Sequence, residues 1–124
     1  YCSIRFMEIV ETTLNAFERD VVQASSQRPI LVDFWAEWCA PCLVIAPVLE
    51  HVLRDLGGAV GLAKLEVDEG ENMKLAGHYR VRGFPTVILF HDGAEIGRFS
   101  GARSRTQILE FVHSHIDPAS RVGT

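Results

Sequence analysis

The feature that most constrains this chain is a join between two kinds of segment. Ile30-Leu31-Val32-Asp33-Phe34-Trp35-Ala36 is a nearly continuous apolar run, the pattern of a central strand covered on both faces. After it, Val44, Val48, His51, Val52 and Asp55 mark out helical spacing until Gly57-Gly58 stops the helix. Trp38-Cys39-Ala40-Pro41-Cys42 sits at the seam. A buried strand that feeds a long amphipathic helix requires a layered α/β architecture.

The seam also carries chemistry. Cys39 falls at the helix N-terminus, where unpaired backbone N–H groups and the helix dipole favour a negative sulfur and lower the thiol pKa. Cys42 lies one turn on, so the two sulfurs can close a short disulfide and store two electrons. Two cysteines that merely fill space would also fit the composition, as would half of a zinc site. A C-x-x-C beside a βαβ pattern favours a dithiol redox motif. The remaining zinc candidates are Cys2 and five scattered histidines with no paired spacing, so no metal is expected.

A chain of 124 residues forms one domain and can bury roughly two thirds of its unfolded surface without a disulfide scaffold. Twelve basic against sixteen acidic residues give a net charge of −4, and the basic residues do not cluster, which argues against nucleic acid. The apolar runs are shorter than the ~20 residues of a membrane span, and the N-terminus lacks a signal-peptide pattern, so a cytoplasmic monomer is the expectation.

Tyr1 to Phe6 read as an extension before Met7, with Cys2 incidental. Thr12-Thr13 followed by Leu14, Phe17, Val21 and Val22 predicts a capped helix that ends before Ser25-Ser26-Gln27-Arg28-Pro29. The seam helix spans about 39–56, and Pro47 inside it predicts a kink. Val60 to Val67 alternates as a strand, and Glu71 to Tyr79 predicts a short helix with Met73, Leu75, Ala76 and Tyr79 inward. Thr86 to His91 and Glu95 to Ser100 are joined by Asp92-Gly93, a two-residue hairpin signal. Ser104 with Gln107 forms a capping box ahead of an apolar stripe of Ile108, Leu109, Val112 and Ile116, and Pro118 ends the last helix before a tail. The domain is expected over 7–117.

From about Glu8 to Ile116 the chain resembles the thioredoxin family. The resemblance is carried by Val32-Asp33-Phe34-Trp35-Ala36-Glu37-Trp38-Cys39-Ala40-Pro41-Cys42, by Ala63-Lys64-Leu65-Glu66-Val67-Asp68 and by Val81-Arg82-Gly83-Phe84-Pro85-Thr86, with Gly93 and Gly101-Ala102 also at family positions. It implies a central mixed sheet of five strands with four helices and the activity of protein-disulfide reduction, with recharging by an NADPH-dependent thioredoxin reductase and no bound cofactor. Ala40 stands where the family usually has glycine, and Leu43 where it often has a basic residue; both bear on partner choice.

Within that frame Cys39 is the expected nucleophile and Cys42 the cysteine that resolves the mixed disulfide. Asp33 shares a strand face with Leu31 and Trp35, an apolar position where burial raises a carboxyl pKa and makes it a candidate base. Lys64 resembles the family's partner to that carboxylate, and Pro85 its cis-proline, which would offer backbone beside Cys39 as a strand edge. Trp38, Ala40, Pro41, Val67, Gly83, Phe84, Gly101 and Ala102 would form an apolar apron for substrates. Trp35 is expected to pack behind the site. Two rivals remain: a disulfide oxidase or isomerase, disfavoured because Ala40-Pro41 lacks the histidine of oxidising relatives, and a binding subunit with idle cysteines.

Overall fold

The computed structural model describes residues 9–116, so the extension at 1–6, Met7, Cys2, Pro118 and the tail lie outside the described residues. Five strands form one mixed sheet in the order β1-β3-β2-β4-β5. They are β1 (Ile9–Glu11), β2 (Ile30–Trp35), β3 (Gly61–Glu66), β4 (Thr86–His91) and β5 (Ala94–Ser100). Parallel pairing joins β1 to β3 and β3 to β2, and antiparallel pairing joins β2 to β4 and β4 to β5. The central β2 is buried from Ile30 to Phe34, as its unbroken apolar run requires.

The helices α1 (Ala40–Leu56), α2 (Met73–His78) and α3 (Arg105–Ile116) join a first helical segment over Glu18–Gln23 and Ala24–Ser26. Ile45, Leu49, Val52 and Leu53 of α1 share one core with Ile108 and Val112 of α3, Leu31 of β2 and Val87 and Leu89 of β4. On the opposite face Phe17 and Val21 of the first segment and Leu75 and Ala76 of α2 pack with Val32, Phe34, Ala63 and Leu65. Both cores are thus fed by alternate residues of the same strands.

The local signals account for most boundaries. Gly57 closes α1 at φ 57°, its N–H bonding Leu53 and Arg54 carbonyls, a left-handed position that suits glycine. Asp92 and Gly93 both have positive φ, the geometry of a two-residue hairpin turn. Ser104 and Gln107 exchange side-chain to backbone bonds at 3.1 and 2.9 Å, so the capping box forms.

Two expectations are corrected. The first helical segment continues through Ser26, with wide π turns over Glu18–Gln23 and a 3-10 turn after them. Ser25 can be buried there because its hydroxyl and carbonyl accept the N–H groups of Gly93 (2.8 Å) and Asp92 (2.9 Å) from the hairpin. Met73 is 47% exposed rather than inward, and Asn72 takes the buried position beside it. In α1 the buried face is Cys42, Ile45, Leu49, Val52 and Leu53, whereas Val44 is 61% exposed and His51 lies on the surface. The helix runs unbroken through Pro47.

Candidate active site

β2 and β3 end together, and their C-terminal ends deliver the chain to the site. Ala36 O accepts the Cys39 N–H at 3.1 Å in the turn that leaves β2, and Cys39 becomes the N-cap of α1 in an extended conformation. Cys42 donates its backbone N–H to Cys39 Sγ at 3.2 Å, the capping bond that serine or threonine oxygen makes elsewhere. Pro41 in the first turn has no N–H to leave unpaired there. Cys39 and Cys42 are joined in a disulfide with Cα atoms 5.3 Å apart. Both cysteines are recessed: Cys39 retains 5% of its surface and Cys42 1%.

Asp33 is wholly buried, and neither carboxylate oxygen has a hydrogen-bond partner among the described residues. Desolvation pushes its pKa up from 3.8 to about 7, against a smaller opposing pull from the Lys64 charge. Lys64 sits opposite Asp33 in the β2–β3 register, yet its Nζ lies over the Trp35 ring, 5.1 Å from the centroid. Lys64 therefore acts on Asp33 through space.

Trp38 is 65% exposed but not loose: its Nε1 donates to Asp68 Oδ2 at 2.6 Å, and its ring meets Phe84 edge to face at 5.9 Å. No local signal marks Asp68, because its partner lies 30 residues away. The Phe84–Pro85 peptide is cis. Thr86 Oγ1 donates to Gly83 O at 2.6 Å and lies 3.1 Å from Ser100 Oγ, while Gly101, at φ 85°, donates its N–H to Pro85 O at 2.8 Å. Ala40, Pro41, Gly83 and Ala102 are exposed, Phe84 is half-buried, and Pro85 is buried. Val67 does not join the exposed apron; at 1% exposure it packs beneath, in the core that holds both cysteines.

A second missed residue is Asn72. Its Oδ1 accepts the Leu14 N–H at 2.8 Å and its Nδ2 donates to Glu66 O at 2.9 Å, which ties the end of β3 to the start of the first helical segment. Partial desolvation and the nearby Glu37, Glu69, Asp68 and Glu11 raise the Glu66 pKa, so this flank is acidic. Among the described residues no helix is long and apolar enough to cross a membrane, and no group of three or more His, Cys, Asp or Glu could hold a metal ion.

A redox-active cysteine pair capping a helix at the end of a central strand, in a mixed five-stranded sheet with four helices, defines a thiol-disulfide oxidoreductase. The thioredoxin family model matches residues 8–114, and the chain belongs to that family. It is 45% identical over 108 residues to a thioredoxin of Pseudomonas aeruginosa, covering 87% of this chain and 96% of that one. A thioredoxin of Mycolicibacterium smegmatis is 42% identical over 100 residues (81% and 88%), and thioredoxin C-2 of Corynebacterium nephridii is 40% identical over 108 (87% and 96%).

Proposed function

We propose that the chain reduces disulfides in other proteins. The observation that carries this reading is the Cys42 N–H donated to Cys39 Sγ at the N-terminus of α1, because the same bond would stabilise a Cys39 thiolate. In the reduced protein Cys39 attacks a substrate sulfur; a Cys39–substrate bond forms and the other substrate sulfur leaves as a thiolate. Asp33, ionised, takes the Cys42 proton, and the Cys42 thiolate attacks Cys39 Sγ. The substrate's second sulfur leaves, its two sulfurs have gained two electrons, and Cys39–Cys42 is again a disulfide. Lys64 favours the ionised form of Asp33.

Trp38, Ala40, Pro41, Gly83, Phe84, Pro85, Gly101 and Ala102 receive the substrate. Recharging is assigned to an NADPH-dependent thioredoxin reductase, and the setting to a reducing compartment such as the cytoplasm, where the chain would maintain thiol balance. The similarity to bacterial thioredoxins supports the reading. Insulin reduction with dithiothreitol, followed by turbidity, tests it against Cys39→Ser: the wild type should precipitate insulin far faster. Equal rates would refute the proposal. NADPH consumption with a bacterial thioredoxin reductase tests the recharging partner separately.

A further inference from the structure

The outward face of the first two turns of α1 has no polar side chain. Ala40, Pro41, Leu43, Val44 and Pro47 are all exposed. Leu43 keeps 53% and Val44 61% of its surface in solvent. By contrast, the outward residues of α3 are Thr106, Gln107, Glu110, His113 and Ser114. Large aliphatic side chains left together in water mark a surface that another molecule covers.

We propose that this stripe sets substrate choice: it seats an aliphatic or aromatic side chain that flanks the attacked cysteine in an extended protein segment. The inference rests on the disulfide-reductase reading and narrows its substrate class. Continuity supports the occupant, because Ala40 follows Cys39 and Leu43 follows Cys42, so the stripe borders the disulfide that a substrate sulfur must reach. Size supports it too. From Ala40 to Pro47 the helix rises roughly 10 Å and is about 10 Å wide, a footprint on the order of 100 Å². A stable dimer needs about 800 Å² from each partner, whereas three residues of extended chain span about 10 Å. A charged flank would lose water there without gaining a partner.

The test uses pre-reduced protein in single turnover against two disulfide-linked peptides that differ in one respect, leucine or glutamine beside the cysteine. The wild type should prefer the leucine peptide about tenfold, the low end of what an apolar contact gives because the stripe is open on one side. Leu43→Gln with Val44→Gln should bring the ratio of rates to about one. Leu43→Met with Val44→Ile should restore it. Equal rates in a wild type that still reduces bis(2-hydroxyethyl) disulfide faster than Cys39→Ser would overturn the stripe and leave the reductase reading standing. A wild type that reduces neither peptide nor the small disulfide would sink both. Sedimentation showing a dimer dissolved by the double glutamine variant, with the peptide ratio unmoved, would assign the stripe to a second copy and overturn the proposal.

Discussion

α1 and α3 pack side by side on one face of the sheet and begin with the same local bond, in which the N-cap side chain accepts the N–H three residues on. At α3 the acceptor is Ser104 Oγ, and Gln107 returns a bond to the Ser104 N–H. At α1 it is Cys39 Sγ, held above the end of a strand that buries Asp33 without a partner. One N-terminus spends its orphan N–H groups on stability, and the other directs them at a reacting atom. Their outer faces differ in the same sense, polar along α3 and apolar along the first turns of α1.

Exchanging the atom breaks the comparison most directly. Cys39→Ser makes the α1 cap resemble that of α3: serine caps well, so reduced variant and reduced wild type should unfold within about 1 kcal/mol of each other in urea. Disulfide reduction should nevertheless fall at least ~10³-fold, since an alcohol is not a nucleophile toward sulfur at neutral pH. The complementary Cys42→Ser should accumulate mixed disulfides on non-reducing gels. Adducts formed through Cys42 in the Cys39→Ser protein would reverse the assignment of nucleophile.

The second experiment removes what α3 lacks, the buried acid. The Asp33 carboxyl titrates at about 7 in the folded chain against an ordinary 3.8, so between those values the folded state holds a proton that the unfolded state has lost. Stability therefore falls as pH rises from about 4 to 7 and levels off above, by roughly 4 kcal/mol at most. Asp33→Asn should flatten that slope and leave the protein as stable or more stable at pH 8. Resolution of the mixed disulfide should slow about 10²-fold at pH 8, a difference that shrinks below pH 7 where the wild-type carboxyl is also neutral. A less stable variant, or unchanged resolution at pH 8, would make Asp33 a structural residue.

How much of this contrast the sequence displayed depends on how local its causes are. The strand ending before Cys39, the Gly57 stop, the Asp92-Gly93 turn and the Ser104–Gln107 box are each specified within a few residues, and all are present. The buried face of α1 is not legible in the sequence because residues 43–49, Leu-Val-Ile-Ala-Pro-Val-Leu, have no polar member to set the phase of the helix. The members of that run that face solvent, Leu43, Val44 and Pro47, belong to the exposed stripe. Asn72 and Asp68 escaped notice because their partners, Leu14 and Trp38, are distant in sequence. Ser25 reads as a loop residue until the hairpin that satisfies it is in place.

A third experiment sharpens the role of the α1 terminus by adding charge to it. Pro41→His places an imidazole in the first turn, and its partial positive charge should lower the Cys39 pKa. One pKa unit is ~1.4 kcal/mol, or about 30 mV for a two-electron couple, read in full only above the thiol pKa. Because the thiolate belongs to the reduced form, the potential should become less negative and insulin reduction should slow. Thiolate absorbance and titration against glutathione measure the two quantities. A lowered pKa with a fixed or more negative potential would show that thiolate stability does not set the poise.

The smallest effect belongs to α3. Ser104→Ala deletes the oxygen that accepts the Gln107 N–H while leaving the N–H of residue 104 and the Gln107 side chain that reaches it. Loss of one half of a capping box costs about 1 kcal/mol, so the urea midpoint should fall with the slope unchanged. Ser104 heads a different helix from the cysteines, so Cys39 pKa, redox potential and peptide selectivity should all stay at wild-type values. Measured beside Pro41→His, the variant separates stability from chemistry: one substitution moves the unfolding midpoint, and the other moves the potential. If Ser104→Ala shifted the potential by anything near 30 mV, the two N-termini would be energetically coupled through the α1–α3 core. The division of labour between the helices would then be wrong.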